Sequence, residues 1–227
     1  MLVFKLVINS IISIVIMGAL LFLPAGTFIW WRAWILMGVI IAGSILSVVS
    51  LFPEHKDLLK ERLRLPIQKG QPLADKIILL SFLLFFYVMF AFIPLDVFRF
   101  HLMGRPGPLI SFSGLVLLIL GWRIVYLARR ENAFASLVVK LQAERRQIVI
   151  DSGVYGIVRH PMYAGAILFI LGIPLWLESY AAAVLALVPI FLLMLRIPME
   201  EKYLRRELTG YDAYTRKVRY RVIPHVW

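Results

Sequence analysis

The sequence predicts an all-α membrane protein, a polytopic bundle of about six transmembrane helices. Only 17% of the 227 residues are charged, and the mean hydropathy of +0.85 is far above that of soluble domains. Apolar runs recur that are long enough to cross a hydrocarbon core of roughly 30 Å, which takes about 20 helical residues. Because these runs lack the two-residue alternation of membrane β-barrels, helices are predicted to span the bilayer.

Six apolar runs define the predicted spans. They extend approximately from Leu6 to Leu23, Trp34 to Phe52, Ile77 to Val97, Leu109 to Ala128, Met162 to Leu177 and Tyr180 to Ile197. The first follows a single cation, Lys5, and is long for the apolar part of a signal peptide, so we interpret it as a retained anchor. The fifth is short, and its Gly165 and Gly172 are predicted to let a neighbouring helix approach closely.

The basic residues predict the orientation of the chain. Six lie between positions 54 and 76, six between 129 and 159, and seven after Arg196, whereas the opposite side carries only Arg32, Arg99 and Arg105. The positive-inside rule therefore places both termini in the cytosol, at the inner membrane if the cell is prokaryotic. Topology and anionic lipid headgroups account for the net charge of +12, so nucleic acid is not a predicted partner.

The chain divides into two predicted regions. Residues 1–128 contain four spans and an amphipathic cytosolic loop, 53–76, whose Leu58, Leu59, Leu63 and Leu65 lie among charges and predict a short interfacial helix. Residues 129–227 contain a cytosolic linker, two spans and a cytosolic tail. The sequence has no cysteine, which excludes disulfides, thiolate nucleophiles and cysteine-ligated metals, and no metal site is predicted.

Two charged residues inside the N-terminal spans have no obvious partner in the sequence. Asp96 lies near the external end of the third span, and Arg123 lies about five residues from the cytosolic end of the fourth. A long arginine side chain at that depth can extend its guanidinium to the membrane surface. We therefore predict a structural role for Arg123.

The densest polar motif is GVYGIVRHPMYAG, residues 153–165, at the start of the fifth span. Pro161 is predicted to be the first helical residue, because proline lacks the N–H that this position leaves unpaired. Arg159 and His160 then lie beside free N–H groups and the positive end of the helix dipole, which favour an anion. Tyr155 and Tyr163 add aromatic rings at the same depth. In the alternative interpretation Arg159 contacts lipid phosphate and His160 caps the helix.

The sixth span is predicted to return the chain to the same membrane boundary. Only two residues join it to the fifth span, which predicts a tight antiparallel hairpin that delivers Arg196, Glu200 and Glu201 beside the RHP motif. Pro198 predicts that the span either kinks or ends and restarts there. We favour the restart, which places the glutamates in the first turn of a new helix, where they are favourable even without a ligand. Carboxylates and tyrosine rings also suit a cation or an amino group. A ligand that carries both charge signs is therefore predicted.

These two segments resemble the isoprenylcysteine carboxyl methyltransferase family of membrane enzymes. The resemblance lies in QIVIDSGVYGIVRHPMYAG, residues 147–165, and in RIPMEEKYLRRELTGYDAYTRKVRYRVIP, residues 196–224. Its specific elements are G-x-Y-x-x-x-R-H-P-x-Y-x-G, then R-x-x-x-E, then Leu204, Gly210 and Tyr214. The first 128 residues share only their transmembrane character with the family.

The resemblance implies S-adenosyl-L-methionine as cofactor, bound on the cytosolic side by the hairpin and the tail. The implied cofactor-binding residues are Gln147, Ile148, Val149, Ile150, Tyr155, His160, Pro161, Met162, Tyr163 and Glu200. Glu201 is added to this set for its charge and position. Arg196 corresponds to the family's substrate-binding arginine and is the predicted catalytic residue.

The acceptor implied by the resemblance is lipophilic, an isoprenylcysteine-like carboxylate that enters from the bilayer and is O-methylated. At the position of an upstream family glutamine this chain has Lys140, and only a small gap aligns Gln142. N-methylation of a phospholipid amine, with His160 or Glu201 as base, or of another small acceptor is the alternative. An NADPH-dependent membrane reductase that uses Arg159, and a non-enzymatic scaffold, also remain open. The oligomeric state is not predicted.

Overall fold

The computed structural model describes residues 2–52, 56–61, 63–68, 70–136 and 138–227, and over these ranges every regular element is helical. The α-helices are α1 (Leu2–Ala25), α2 (Trp31–Leu51), α3 (Lys56–Glu61), α4 (Leu73–Leu95), α5 (Pro108–Glu131), α6 (Pro161–Trp176), α7 (Tyr180–Leu185), α8 (Leu187–Glu207) and α9 (Tyr211–Lys217). A π-helical turn extends α4 over Asp96–Phe100, and short 3-10 turns lie at Ala143–Arg145 and Gly153–Gly156. The predicted all-α polytopic bundle is confirmed.

Five segments of the described chain are long and apolar enough to cross a membrane. They are Leu2–Ala25, Trp31–Leu51, Leu73–Phe100, Pro108–Glu131 and Tyr180–Glu207, and they correspond to the first four and the sixth predicted spans. The fifth predicted span is α6, an apolar helix of 16 residues. At 1.5 Å per residue α6 is about 24 Å long, shorter than the hydrocarbon core.

The surface of these helices is that of an integral membrane protein. Between 17% and 33% of the residues in the most apolar window of each span are buried inside the protein, although the windows are strongly hydrophobic. The other apolar side chains face outward, over a larger area than a water-soluble protein exposes. Lipid is therefore the solvent of this surface.

Helices α5 and α6 pack in direct backbone contact through glycines. A Cβ added at Gly121 would lie 2.5 Å from the Gly165 carbonyl oxygen, and one added at Gly172 would lie 2.6 Å from the Gly114 carbonyl oxygen. This pairing makes the two helices antiparallel. Gly165 and Gly172 therefore allow the predicted close approach, but the partner is α5.

The predicted hairpin is present as a short connection, but its two arms do not form one packed unit. Three residues, Leu177–Ser179, separate α6 from α7. The extensive backbone packing of α6 is with α5, and that of α8 is with α4. A space is left between α6 and α8 at the end of the bundle where α6 begins, and this space contains the site described below.

The predicted helix restart at Pro198 is wrong, because α8 continues through this residue to Glu207. Side chains on both sides of Pro198 are held by distant segments: Arg196 Nε lies 2.6 Å from Asp75 Oδ1, and Glu201 Oε1 lies 2.7 Å from Arg159 Nε. We infer that these bonds keep the helix continuous although proline removes one backbone bond. Ala186, between α7 and α8, also has helical backbone angles, and its N–H donates to the Ala182 carbonyl at 2.8 Å, so the span continues through this residue too.

The loop after α2 contains the predicted short amphipathic helix, α3. Its Leu58 and Leu59 are fully buried against Leu6 of α1 and Leu51 of α2. Leu65, predicted to share the apolar face, lies beyond the helix and is exposed. Positions 53–55, 62 and 69 of this loop lie outside the described residues. Because α4 begins at Leu73 rather than near position 77, the loop is shorter than predicted.

Asp96 has partners that the sequence did not reveal. Its Oδ2 accepts a hydrogen bond of 2.6 Å from the Ser179 hydroxyl, and its Oδ1 accepts one of 2.9 Å from the Leu102 N–H. These bonds join the end of α4 to the α6–α7 connection. Arg123 is exposed, with its guanidinium 5.4 Å from the centre of the Tyr126 ring, and its structural role stays a prediction.

Replacing Gly121 with alanine is expected to destabilise the bundle, because the new methyl group would lie 2.5 Å from backbone atoms of α6. Overpacking of this kind costs about 1–3 kcal/mol. The matched control is Gly38→Ala in α2, where an added Cβ meets no atom within 4 Å. Thermal unfolding in detergent, followed by circular dichroism, should show a lower melting temperature for the first variant only. Equal melting temperatures would contradict the close α5–α6 packing.

Candidate functional site

A cavity of about 220 Å³ lies at one end of the bundle, where α6 begins and α8 ends. Its walls come from α4, the end of α5, the segment between α5 and α6, the first turns of α6, α8 and α9. The predicted site residues that line it are Gln147, Ile148, Val149, Ile150, Tyr155, His160, Pro161, Met162, Tyr163, Arg196 and Glu200. The two sequence segments predicted to converge therefore share one cavity.

Helix α6 begins at Pro161, as predicted from its place in the RHP motif. The His160 side chain makes no capping hydrogen bond to α6, in contrast to the alternative interpretation. The two backbone N–H groups before the helix bind the C-terminal segment instead: Arg159 N–H donates to the Tyr220 carbonyl at 2.9 Å, and His160 N–H to the Arg221 carbonyl at 2.8 Å. The tail therefore fixes the start of α6.

Glu201 is the centre of a buried ion cluster. Its Oε1 accepts a hydrogen bond of 2.7 Å from Arg159 Nε and lies 3.2 Å from His160 Nε2, while its Oε2 accepts one of 3.0 Å from Arg221 Nε. Arg159 also donates to the carbonyl oxygens of Val218 and Arg219. The cluster joins α8, the start of α6 and the tail.

The structure separates the roles of the two neighbouring glutamates. Glu200 lines the cavity, and its Oε2 accepts a hydrogen bond of 2.6 Å from the Tyr163 hydroxyl. Glu201 is absent from the cavity wall. Consecutive residues of a helix point in directions about 100° apart, so one of the pair faces the cavity and the other the ion cluster. The predicted cofactor contact of Glu201 has no geometric support here.

Arg196 lines the cavity and forms a buried ion pair that sequence reasoning missed. Its Nε donates to Asp75 Oδ1 at 2.6 Å, and both side chains are almost completely buried. The other oxygen of Asp75 accepts hydrogen bonds from Gln71 Nε2 at 2.7 Å and from the Val139 N–H at 3.1 Å. The sequence did contain an indication of this pair. An arginine in an apolar span needs a buried counter-charge, and Asp75 is the acid at the start of α4.

The segment between α5 and α6 is held by Gln142. This buried side chain donates from Nε2 to the Phe134 carbonyl at 2.8 Å, and its backbone N–H donates to Gln147 Oε1 at 2.9 Å. Lys140, the residue at the ungapped position of the family glutamine, lines the cavity. Gln142 therefore stabilises the wall, and Lys140 is the one that faces the interior.

Three buried tyrosines line the cavity on the side of α9. Tyr214 donates a hydrogen bond of 2.9 Å to the Tyr155 carbonyl. Burial raises the pKa of Tyr155, Tyr211 and Tyr214 above the ordinary value, so that all three hydroxyls stay protonated at neutral pH. The Tyr211 hydroxyl has no hydrogen-bond partner among the described residues.

A second cavity of about 170 Å³ adjoins the first. It is lined by polar side chains of α1 and α2 and of the segment around α3, among them Asn9, Ser44, Glu61 and Arg64. The residues common to both cavities are Arg129, Ala135, Ser136, Val138 and Met162. One layer of side chains thus divides the two spaces. The described residues contain no group of three or more histidines or acids that could hold a metal ion.

Removing the charge of Asp75 is expected to destabilise the protein, because Asp75→Asn takes away the buried carboxylate that binds Arg196 Nε at 2.6 Å. Breaking a buried pair in this way costs about 3–5 kcal/mol. The control is Asp57→Asn: Asp57 pairs with Lys60 at 2.8 Å, but both side chains are more than half exposed, and such pairs contribute less than about 1 kcal/mol. Melting temperatures in detergent should fall clearly for Asp75→Asn and stay near wild type for Asp57→Asn; similar small shifts would mean that the buried pair does not hold α8.

One comparison with known proteins is informative. The sequence profile of the phospholipid methyltransferase family matches residues 109–209, somewhat less than half of the chain, from the start of α5 to just beyond α8. No curated protein gave a significant match. The phospholipid methyltransferases and the isoprenylcysteine carboxyl methyltransferases belong to one superfamily of membrane methyltransferases. The match spans every predicted site residue, and this region is therefore similar to that of membrane methyltransferases.

Proposed function

We propose that this protein is a membrane methyltransferase that binds S-adenosyl-L-methionine in the first cavity and methylates a lipophilic acceptor from the bilayer. One observation carries the proposal: Tyr155, His160, Tyr163 and Glu200 come from separate parts of the region similar to phospholipid methyltransferases, and they line one cavity. Residues that separate sequence motifs predicted to bind one cofactor are thus neighbours in the fold.

The cavity offers chemistry that suits each part of this cofactor. Glu200 and the tyrosine rings attract a sulfonium or an ammonium group, and arginines attract a carboxylate. Apolar side chains such as Val149 and Leu208 suit a nucleoside base. The buried Tyr211 hydroxyl, which has no partner in the described protein, lacks a hydrogen bond that a ligand can supply. The residues present therefore fit S-adenosyl-L-methionine, which supplies an electrophilic methyl group when bound.

The chain contributes mainly positioning and exclusion of water. Direct displacement at a methyl group needs no covalent intermediate with the protein, so the orientation of the two reactants is the main requirement. Tyr163 holds the Glu200 carboxylate through a bond of 2.6 Å, and Asp75 holds the Arg196 guanidinium through another of 2.6 Å. Both groups are thus fixed before a ligand arrives. Arg196 orients the acceptor in this proposal.

We favour a phospholipid amine as the acceptor over an isoprenylcysteine carboxylate, because the matched family is that of the phospholipid methyltransferases. An amine must lose a proton before it can attack. His160 lines the cavity, and its Nε2 lies 3.2 Å from Glu201, an arrangement in which a carboxylate supports a histidine that takes up a proton. Glu201, the alternative base, is bound to Arg159 and Arg221 and lies outside the cavity wall.

The acceptor can be tested with purified protein in lipid nanodiscs and methyl-labelled S-adenosyl-L-methionine. We expect label in phosphatidylethanolamine as a base-stable N-methyl group, at a rate that rises with pH because the amine must be deprotonated. Label in a prenylated cysteine as a base-labile ester, at a rate independent of pH above about 6 because a carboxylate with a pKa of about 4 is already ionised, would favour the carboxyl acceptor. No transfer to either lipid and no affinity for the cofactor would contradict the proposed function.

Replacing Glu200 with glutamine is expected to weaken cofactor binding about 10-fold or more, because a charge-assisted hydrogen bond contributes about 1.5–3 kcal/mol. Isothermal titration with S-adenosyl-L-methionine and with S-adenosylhomocysteine measures the effect. Weakening for both ligands would assign Glu200 to their shared amino group, and weakening for the first alone would assign it to the sulfonium. The control is Glu207→Gln at the end of α8, whose carboxylate binds Arg206 at the surface. Unchanged binding by Glu200→Gln would remove Glu200 from the site.

A further inference from the structure

Tyr211 is set apart from the other residues of the cavity by its hydroxyl. Among the described residues it is the one buried side-chain oxygen or nitrogen without a hydrogen-bond partner. Its side chain is 4% exposed and lines the first cavity. Neither the sequence motifs nor the resemblance assigned a role to this residue.

Two other buried hydroxyls of this wall have protein partners. Tyr163 donates to Glu200, and Tyr214 donates to the Tyr155 carbonyl. A buried hydroxyl without a partner costs folding free energy, whereas phenylalanine would fill the same space without that cost. The unsatisfied hydroxyl at a cavity wall therefore points to a partner that is not part of the chain.

The position of the Tyr211 ring is fixed by its surroundings. Tyr211 is the first residue of α9 and follows Gly210, whose φ of 87° makes the sharp turn out of α8. The ring packs in an apolar cluster with Leu208, Tyr214 and Val218. The hydroxyl is thus held in place before a ligand binds.

The charges near Tyr211 limit the chemistry of its partner. The carboxylates of Glu200 and Glu201 add to burial in raising the pKa of the hydroxyl, which remains a neutral donor. Glu201 binds Arg159, His160 and Arg221, so the charge that disfavours a ligand carboxylate at this point is mainly that of Glu200. Val149 and Leu204 pack against the Tyr211 cluster, so the adjacent wall is apolar. A neutral acceptor atom on a partly apolar group fits best.

We propose that the Tyr211 hydroxyl is a cofactor-binding group that donates a hydrogen bond to a neutral acceptor of the nucleoside, a ribose oxygen or an adenine nitrogen. This inference rests on the proposed function, because it takes S-adenosyl-L-methionine as the ligand of the first cavity. The amino-acid end of the cofactor then lies toward Glu200 and Tyr163, and the nucleoside lies toward α9.

The test compares Tyr211→Phe with Tyr214→Phe in the full-length protein without ligand and with S-adenosylhomocysteine. Tyr211→Phe removes an unsatisfied hydroxyl, so we expect its ligand-free melting temperature to equal or exceed that of the wild type. Its Kd for S-adenosylhomocysteine should rise about 3- to 10-fold, the range of one neutral hydrogen bond. Tyr214→Phe, which loses the bond to the Tyr155 carbonyl, should lower the ligand-free melting temperature instead.

A fragment of the cofactor separates the two ends of the site. 5′-Methylthioadenosine retains the nucleoside and lacks the amino-acid part, so Tyr211→Phe should weaken its binding by the same factor as that of S-adenosylhomocysteine. Glu200→Gln should leave the affinity for this fragment unchanged.

Three results would overturn the inference. They are an unchanged Kd of Tyr211→Phe for S-adenosylhomocysteine, a ligand-free melting temperature lowered as in Tyr214→Phe, and an unchanged affinity of Tyr211→Phe for the fragment. Failure of the wild type to bind S-adenosylhomocysteine at all would overturn the proposed function itself, and the inference with it. The wild-type titration therefore distinguishes the two failures.

Discussion

The Glu201 carboxylate binds three basic side chains, Arg159, His160 and Arg221, and the cavity depends on this cluster. The basic residues come from two segments: Arg159 and His160 directly precede α6, and Arg221 belongs to the tail. An ion cluster of this kind stabilises a structure only when its geometry satisfies every buried group. Arg159 meets that condition through two further carbonyl bonds. The start of α6 is thus set relative to α8 by electrostatics rather than by close helix packing.

Two other contacts keep α6 and α8 apart. Glycines bring α6 against α5, and the ion pair between Asp75 and Arg196 holds α8 against α4. Because α6 packs against α5 and α8 packs against α4, the space between α6 and α8 stays open at one end of the bundle. The packing of α6 on α5 and of α8 on α4 therefore determines where the cavity lies. It also explains why the cavity has both polar and apolar walls, since tyrosines and charged side chains come mainly from the helix ends and apolar side chains from the spans.

Local sequence predicted the parts of the site that local physics controls. Apolar length predicted the spans, proline chemistry predicted the start of α6 at Pro161, and the short connection predicted that Glu200 returns to this start. The restart at Pro198 was wrong because distant side-chain bonds on both sides of the proline hold α8 together. Asp75, the partner of Arg196, lies 121 positions away along the chain, so the charge in an apolar span indicated that a counter-charge exists but not which acid supplies it. The unsatisfied hydroxyl of Tyr211 becomes visible only when the whole wall is assembled.

Asp75 links α4, one of the N-terminal spans, to two walls of the cavity. It binds Arg196 with one oxygen and the Val139 N–H with the other, and both partners line the cavity. Any tilt or lateral displacement of α4 that preserves these bonds carries two walls of the cavity with it. The Asp75 carboxylate is in this way one of the contacts that couple α4, a membrane-spanning helix, to the walls of the cavity.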